Sequence, residues 1–269
     1  MKLRPYQQQA HDAAINWIKK CTDPCVLELP TGSGKSLIVA AIANTLHQVS
    51  SGKHILCLVP SKELLEQNAE KYRDTGNQCS LFSASVGETC LKHPVVFGTP
   101  VSVKNKIHRF GSKFCAVVLD EAHRITPTVK SIIESLLEKN SSLRIIGLSA
   151  TPYRMGSGYI YRMDEHGNAY GDDKAKDPYF TAKVFTVYAR DLIKEGYLSK
   201  ESQHVKTWRQ RWTVLDSNIL ATFEKEGKYL EGTGSMVLDR TNKIAYACIS
   251  PRTNLDVLNE FGRKMNYEI

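Results

Sequence analysis

One glycine-rich turn constrains this chain more than any other feature. Leu29-Pro30-Thr31-Gly32-Ser33-Gly34-Lys35-Ser36 lies between a short apolar run, residues 25–29, and a helix-like apolar stretch, residues 37–43. The pattern predicts a buried strand, a tight turn and a buried helix, in that order. Gly32 and Gly34 permit backbone angles that a Cβ would forbid, so successive N–H groups can converge on phosphate oxygens. The positive end of the helix would lie beneath the same phosphates. In such a turn Lys35 reaches the β and γ phosphates and the Ser36 hydroxyl ligates Mg²⁺. Thr31, Gly32, Ser33, Gly34, Lys35 and Ser36 are therefore candidates for holding ATP. A glycine-rich surface turn is the alternative, and the strict consensus has Gly or Ala where this chain has Leu29.

The rest of the first 150 residues repeats that alternation. Apolar runs at 25–29, 54–59, 80–82, 95–98, 116–119 and 143–148 predict strands. Helical spacing of apolar residues marks 37–48, 63–72, 100–109 and 128–138. Strands alternating with helices imply an α/β fold, a parallel sheet with helices on both faces and right-handed crossovers. Ligands in such sheets sit at the carboxyl ends of the strands. Beyond Tyr153 the pattern weakens. Residues 154–180, rich in Gly, Asp, Lys and Tyr, read as a long polar loop. A further strand is expected at 181–187 and a short helix at 188–194, ending near Gly196.

With 269 residues and 42% hydrophobic content, the chain can bury a core as one large or two small domains. A net charge of +8 suits a polyanionic partner such as nucleic acid, though solvated lysines would give the same value. Seven cysteines are scattered, several within apolar runs where a thiol behaves as a small core residue. Cys21 and Cys25 have a possible metal spacing, but no second pair answers them, so zinc is not expected. No signal region or long apolar run is present, so no membrane span is expected and the reading is of a reduced, cytoplasmic protein.

The chemistry gathers at strand ends. Val117-Val118-Leu119-Asp120-Glu121-Ala122-His123 is an apolar strand followed by adjacent carboxylates. Asp120 is the candidate for holding the metal through water, and Glu121 the candidate base or water-orienting group. Ser149 and Thr151, after the next strand, supply hydroxyls that could bond His123 and the Asp/Glu pair.

In this order the features resemble helicase superfamily 2, whose motor lobes are RecA-like. Leu3-Arg4-Pro5-Tyr6-Gln7 resembles the adenine-reading element, implying roles for Arg4 and Gln7. Leu29–Ser36 matches motif I, where Pro-Thr-Gly-Ser-Gly-Lys-Ser is a usual form and the Leu is no anomaly. Pro60, Ser61 and Lys62 fall in a motif Ia-like segment and Gly98, Thr99 and Pro100 in a motif Ib-like one. The resemblance places both against a nucleic-acid backbone, DNA before RNA. Asp120–His123 is a DEAH form of motif II and Ser149-Ala150-Thr151 is motif III. It implies catalytic roles for Lys35, Asp120, Glu121 and His123, and a coupling role for Ser149 and Thr151. Within the superfamily the likeness is greatest to RadD-type DNA-repair helicases, which usually carry DECH in motif II.

The likeness covers about residues 1–200. No motif VI-like Gln-x-x-Gly-Arg-x-x-Arg element follows, and the remaining stretch is about half of what a second lobe needs. The expectation is a first motor lobe with weak activity of its own, its second lobe absent or supplied in trans by another chain. Residues 201–214 read as a junction. Residues 215–269, through Glu231, Ser235–Leu238 and Lys243–Thr253, resemble part of the amidinotransferase/arginine-deiminase superfamily. They predict a hairpin with strands at 235–238 and 244–250, a turn at 240–242, and a helix over 254–264. The His and nucleophilic Cys of that chemistry are not found, and Cys248 reads as a core residue. A truncated or fused reading frame would account for the combination. The alternatives are a non-catalytic nucleic-acid-binding module and, more distantly, an amidine hydrolase fragment.

Overall fold

The computed structural model describes residues 3–154, 157–198, 236–239, 243–247 and 254–268. The chain divides into two units, Met1–Ser199 and Lys200–Ile269.

The first unit runs α1 (Pro5–Lys20), β1 (Cys25–Glu28), α2 (Lys35–Val49), β2 (His54–Leu58), α3 (Lys62–Arg73), β3 (Ser80–Ser83), β4 (Glu88–Thr89) and β5 (Val95–Gly98). It continues α4 (Pro100–Asn105), β6 (Phe114–Leu119), α5 (Pro127–Leu137), β7 (Arg144–Ser149), β8 (Tyr153–Arg154), β9 (Gly158–Tyr159), β10 (Tyr161–Met163), β11 (Phe180–Thr186) and α6 (Ala189–Lys194). Nine strands form one sheet in the order β10-β11-β1-β7-β6-β2-β5-β3-β4. Every neighbouring pair is parallel except β3 with β4.

Alternation along each strand sends side chains to opposite faces. Cys25 and Leu27 of β1, with Ala116 and Val118 of β6, join the core that contains Ile38 and Ile42 of α2 and Leu65 of α3. Val26, Val117 and Leu119 point the other way, into a core shared with Val103 of α4 and Ile132 and Ile133 of α5. Helix starts follow local chemistry. Ser61 Oγ accepts from Leu64 N at the head of α3, and Thr126 Oγ1 accepts from Val129 N at the head of α5. Pro5, Pro100 and Pro127 each open a helix, where a missing N–H costs nothing.

Three expectations need correcting. The helix expected over 100–109 ends at Asn105 and gives way to a 3₁₀ turn, Ile107–Arg109. The stretch 154–180 is not simply a loop: it holds β9 and β10, with β8 pairing antiparallel to β9. Its tyrosines account for the order. Tyr159 lies 5.3 Å from Tyr153, 5.2 Å from Tyr161 and 5.0 Å from Tyr170, ring centre to ring centre. Lys183, buried in β11, pairs with Glu165 at 3.1 Å and with Glu28 of β1 at 2.9 Å, pinning this stretch to the sheet. Finally, α1 had no counterpart among the expected helices. Its buried face (Tyr6, Gln7, Ala10, Ala14, Ile15, Ile18) includes a glutamine and two alanines, so its apolar stripe is thin.

In the second unit β12 (Met236–Asp239) pairs antiparallel with β13 (Ile244–Ala247), as a hairpin requires. Helix α7 (Leu255–Met265) follows, with Asn254 Oδ1 accepting from Asp256 N at its head. Val257, Leu258 and Phe261 are buried. Glu231, Cys248, the 240–242 turn and the 201–214 junction lie outside the described residues. Among the described residues no helix is long and apolar enough to cross a membrane.

The sheet is packed tightly where it meets the loops. A Cβ on Gly147 of β7 would lie 2.6 Å from Phe180 Cζ and 2.8 Å from Ala122 Cβ. Gly147→Ala should therefore destabilise the chain by about 1–3 kcal/mol, read as a lower urea midpoint with an unchanged slope. An unchanged midpoint would show that the ring of Phe180 has room to move.

Candidate nucleotide site

Leu29, at the start of the glycine-rich turn, donates its N–H to Ser149 O of β7 at 2.9 Å, so the turn leaves the sheet at a fixed angle. Gly32 and Gly34 have φ of 82° and 78°, in the left-handed region that a Cβ disfavours. Helix α2 begins at Lys35, directly after Gly34, with its first N–H groups at the turn.

The N-terminal element packs onto that turn. Tyr6 Oη and Gln7 Nε2 both donate to Ser33 O, at 2.7 and 2.9 Å. Gln7 Oε1 accepts from Arg4 N at 3.0 Å. A Cβ on Gly34 would come within 2.6 Å of Gln7 Nε2, so the approach itself requires glycine. Arg4 donates to Tyr197 O at 3.1 Å and its guanidinium lies 5.3 Å from the Tyr197 ring, which also packs on Tyr6. Tyr6 and Tyr197 were not among the expected site residues. Thr31 is exposed, while Ser33 is buried and its Oγ lacks a hydrogen-bond partner among the described residues.

Lys35 Nζ stands 3.7 Å from Glu121 Oε1 and 3.5 Å from Leu29 O. Glu121 Oε2 stands 3.3 Å from His123 Nδ1, which lies 3.0 Å from Ser149 Oγ. The glycine-rich turn, the end of β6 and the end of β7 are thus joined through side chains. Glu121 has φ 51° and ψ 51°, a conformation that costs a non-glycine residue of order 1–3 kcal/mol. Burial lowers the pKa of the His123 imidazole, Glu121 opposes that, and Arg124, Arg154 and Lys35 reinforce it. The expectation for Thr151 needs correcting. Its side chain is exposed, and its contribution to this path is a backbone N–H donated to Ser149 Oγ at 3.1 Å. Among the described residues it is Ser149, the last residue of β7, that brings a hydroxyl to His123.

Asp120 is only 8% exposed. Its Oδ1 accepts from Glu121 N at 2.9 Å and its Oδ2 from Asn68 Nδ2 at 2.8 Å. Asn68, fully buried on α3, was missed. Its one signal is an amide within the apolar stripe of Leu65, Ala69 and Tyr72.

The residues fit a nucleotide with Mg²⁺. Gly32 and Gly34 adopt the left-handed backbone that lets successive N–H groups converge on phosphate, and Ser36, Asp120 and Glu121 offer the hard oxygen donors that Mg²⁺ takes. Among the described residues no cluster of three or more His, Cys, Asp or Glu could hold a metal by itself.

The second candidate set emerges beside the first. Leu58 and Gly98 are register partners on β2 and β5, and Val59 N donates to Gly98 O at 3.1 Å. Pro60, Ser61 and Lys62 therefore leave the sheet next to Thr99 and Pro100. Ser61 caps α3, and Lys62 Nζ is 3.9 Å from Glu66 Oε1. Thr99 Oγ1 lies 3.1 Å from the hydroxyl of Ser83 and 3.1 Å from that of Ser102, donating to one and able to accept from the other. One pocket is lined by Pro60 and Pro100 together with Asp120, Glu121, Arg124 and Ile125.

Burial is the main cause raising the Asp120 pKa above its ordinary 3.8, opposed by the Asn68 bond and by Lys35. The folded chain therefore holds this proton more tightly than the unfolded chain does. The associated stability is full below 3.8 and is lost as pH rises through the raised folded value, so the ionised carboxylate costs stability at neutral pH. Asp120→Asn should raise the urea midpoint at neutral pH, since a flipped Asn68, whose Oδ1 is otherwise unpartnered, can accept from the new amide. A midpoint below that of the parent would mean that the two hydrogen bonds to the carboxylate outweigh its desolvation.

The family described as Type III restriction enzyme, res subunit, matches residues 1–154, and the one described as N,N dimethylarginine dimethylhydrolase, eukaryotic, matches residues 200–269. The ATP-dependent DNA helicase fml1 of Schizosaccharomyces pombe is 30% identical over 55% of this chain and 20% of its own length. The ATP-dependent DNA helicase uvsW of Enterobacteria phage T4 is 32% identical over 47% of this chain and 26% of its own. A solved structure of the Type ISP restriction-modification enzyme LlaGI with a DNA substrate mimic shares the fold, with a TM-score of 0.50 and 20% identity over 84% of this chain and 24% of that one. The chain spans less than half the length of the curated relatives it matches. With more than half of its residues inside the first match, and the motifs in order along a RecA-like sheet, the chain belongs to the Type III restriction enzyme res subunit family, and its matched part is a helicase superfamily 2 motor lobe.

Proposed function

We propose that residues 1–200 are the first motor lobe of an ATP-dependent DNA helicase or translocase of repair or processing, with 201–214 a junction and 215–269 a hairpin-and-helix appendage. The observation that carries the reading is the side-chain path from Lys35 through Glu121 and His123 to Ser149. A decorative glycine turn would have no reason to meet the ends of two other strands in this way.

ATP would lie on the turn, with Thr31, Gly32, Ser33, Gly34, Lys35 and Ser36 around its phosphates and Arg4 and Gln7 at its base. Ser36 and Asp120 would hold Mg²⁺, which when bound supplies charge neutralisation at the phosphates. Glu121 would orient the attacking water. Lys35 lies beside it, ready to exchange that carboxylate for a phosphate. Pro60, Ser61, Lys62, Gly98, Thr99 and Pro100 would contact backbone phosphates of the nucleic acid. Exposed Lys62 and backbone N–H groups at the heads of α3 and α4 suit such a partner. The arginines that stabilise γ-phosphate charge in this superfamily belong to a second lobe, so hydrolysis by this chain alone should be slow.

Titration of the purified chain with a fluorescent ATP analogue, with and without Mg²⁺ and single-stranded DNA, tests this. Binding should require Mg²⁺, and Lys35→Ala should weaken it at least about tenfold by removing charge-assisted bonds to phosphate. DNA binding that ignores nucleotide, with no affinity for the analogue, would instead identify a non-catalytic module. Vigorous DNA-stimulated hydrolysis by the chain alone would refute the single-lobe part of the proposal.

A further inference from the structure

We propose that Arg154 is a positioning residue of the nucleotide site, clasping the main chain of the turn that bears His123 and so fixing the imidazole between Glu121 and Ser149. The role rests on the nucleotide-site reading above, whereas the geometry stands without it.

Arg154 is half-buried in β8. Its Nε donates to His123 O at 2.8 Å and its Nη2 donates to Ile125 O at 2.6 Å. These carbonyls belong to the end of the 3₁₀ turn Ala122–Arg124, where the turn's own hydrogen bonds run out. Inside the turn, Arg124 N donates to Glu121 O at 2.8 Å and Ile125 N donates to Ala122 O at 3.2 Å. It also begins on the left-handed Glu121, a conformation that persists only where the surroundings hold it. A guanidinium fork spanning two carbonyls provides such a hold, with a direction that a point charge lacks.

The placement gives the clasp its consequence. Segment 149–154 holds His123 twice, by the ring through Ser149 Oγ and by the carbonyl through Arg154 Nε. The same turn carries Glu121, which faces Lys35 and His123 and also lines, with Arg124 and Ile125, the pocket shared with Pro60 and Pro100. A clasped turn therefore fixes the imidazole and this pocket wall together.

The test is ¹⁵N-histidine NMR on the full chain and on Arg154→Ala and Arg154→Lys, without and with Mg-ADP, beside fluorescent-nucleotide affinities. In Arg154→Ala the His123 ring-nitrogen signals should move from the parent position or split into two sets. Nucleotide affinity should stay within about twofold, because the phosphate-binding groups are untouched. Arg154→Lys keeps the charge but reaches one carbonyl at a time, so it should move the same signals in the same direction by less. Should Arg154→Ala fail to fold, the lysine variant decides the question alone. His123 signals that superpose on those of the parent in the folded variants, whatever happens to their melting temperature, would overturn the proposal. If the parent binds no nucleotide, the nucleotide-site reading fails, and the spectra without Mg-ADP still decide whether Arg154 positions His123.

Discussion

The parallel ladder β1-β7-β6-β2-β5 is the constraint on which the rest of the site depends. Parallel strands present their carboxyl ends at one edge, so the loops after all five leave the sheet together. Adjacency in the ladder then decides which loops meet. β1 lies against β7, which places the glycine-rich turn beside Ser149. β7 lies against β6, which places Ser149 beside the turn bearing His123. β6 lies against β2 and β2 against β5, which carries the chain of neighbours on to Pro60 and Thr99. No two of these strands that follow one another in sequence are neighbours in space except through crossovers, so helices on both faces are needed to hold the order.

Within that frame the site is kept under tension. Asp120 is buried with a raised pKa, Glu121 sits in a left-handed conformation, and Ser33 and Asn68 each keep a buried polar atom unpartnered among the described residues. Each of these opposes folding by a modest amount. They are offset by two apolar cores on either face of the sheet and by specific clasps: Asn68 on Asp120, Gln7 and Tyr6 on Ser33, Arg154 on the His123 turn. Local strain of this kind gathers where function asks for a geometry the backbone would not choose.

Much of this was legible along the chain. Strand runs such as Val117–Leu119 and Ile145–Leu148 are short, apolar and buried on both faces, so composition alone marks them. The glycine-rich turn and the carboxylates were legible because their chemistry is local. Helix α1 was not, since a stripe made of Ala10, Ala14 and Gln7 has little apolar contrast. The tyrosine-bearing stretch after Tyr153 was not either. Its strands have two or three residues and owe their order to ring packing and to Lys183, a contact 155 residues from Glu28 along the chain.

By itself the sequence determined the kinds of element, the residues able to meet phosphate and metal, and their order. Those follow from spacing and side-chain chemistry over a few residues. Only the tertiary structure decided the partners. Asn68 meets Asp120 across 52 positions, and Arg154 meets the His123 turn across 31. It also showed that Ser149 brings a hydroxyl to His123 while Thr151 brings a backbone N–H. Such contacts depend on which strands lie side by side and on where each strand stops. No periodicity along the chain encodes that, because it is settled by packing two faces of a sheet at once.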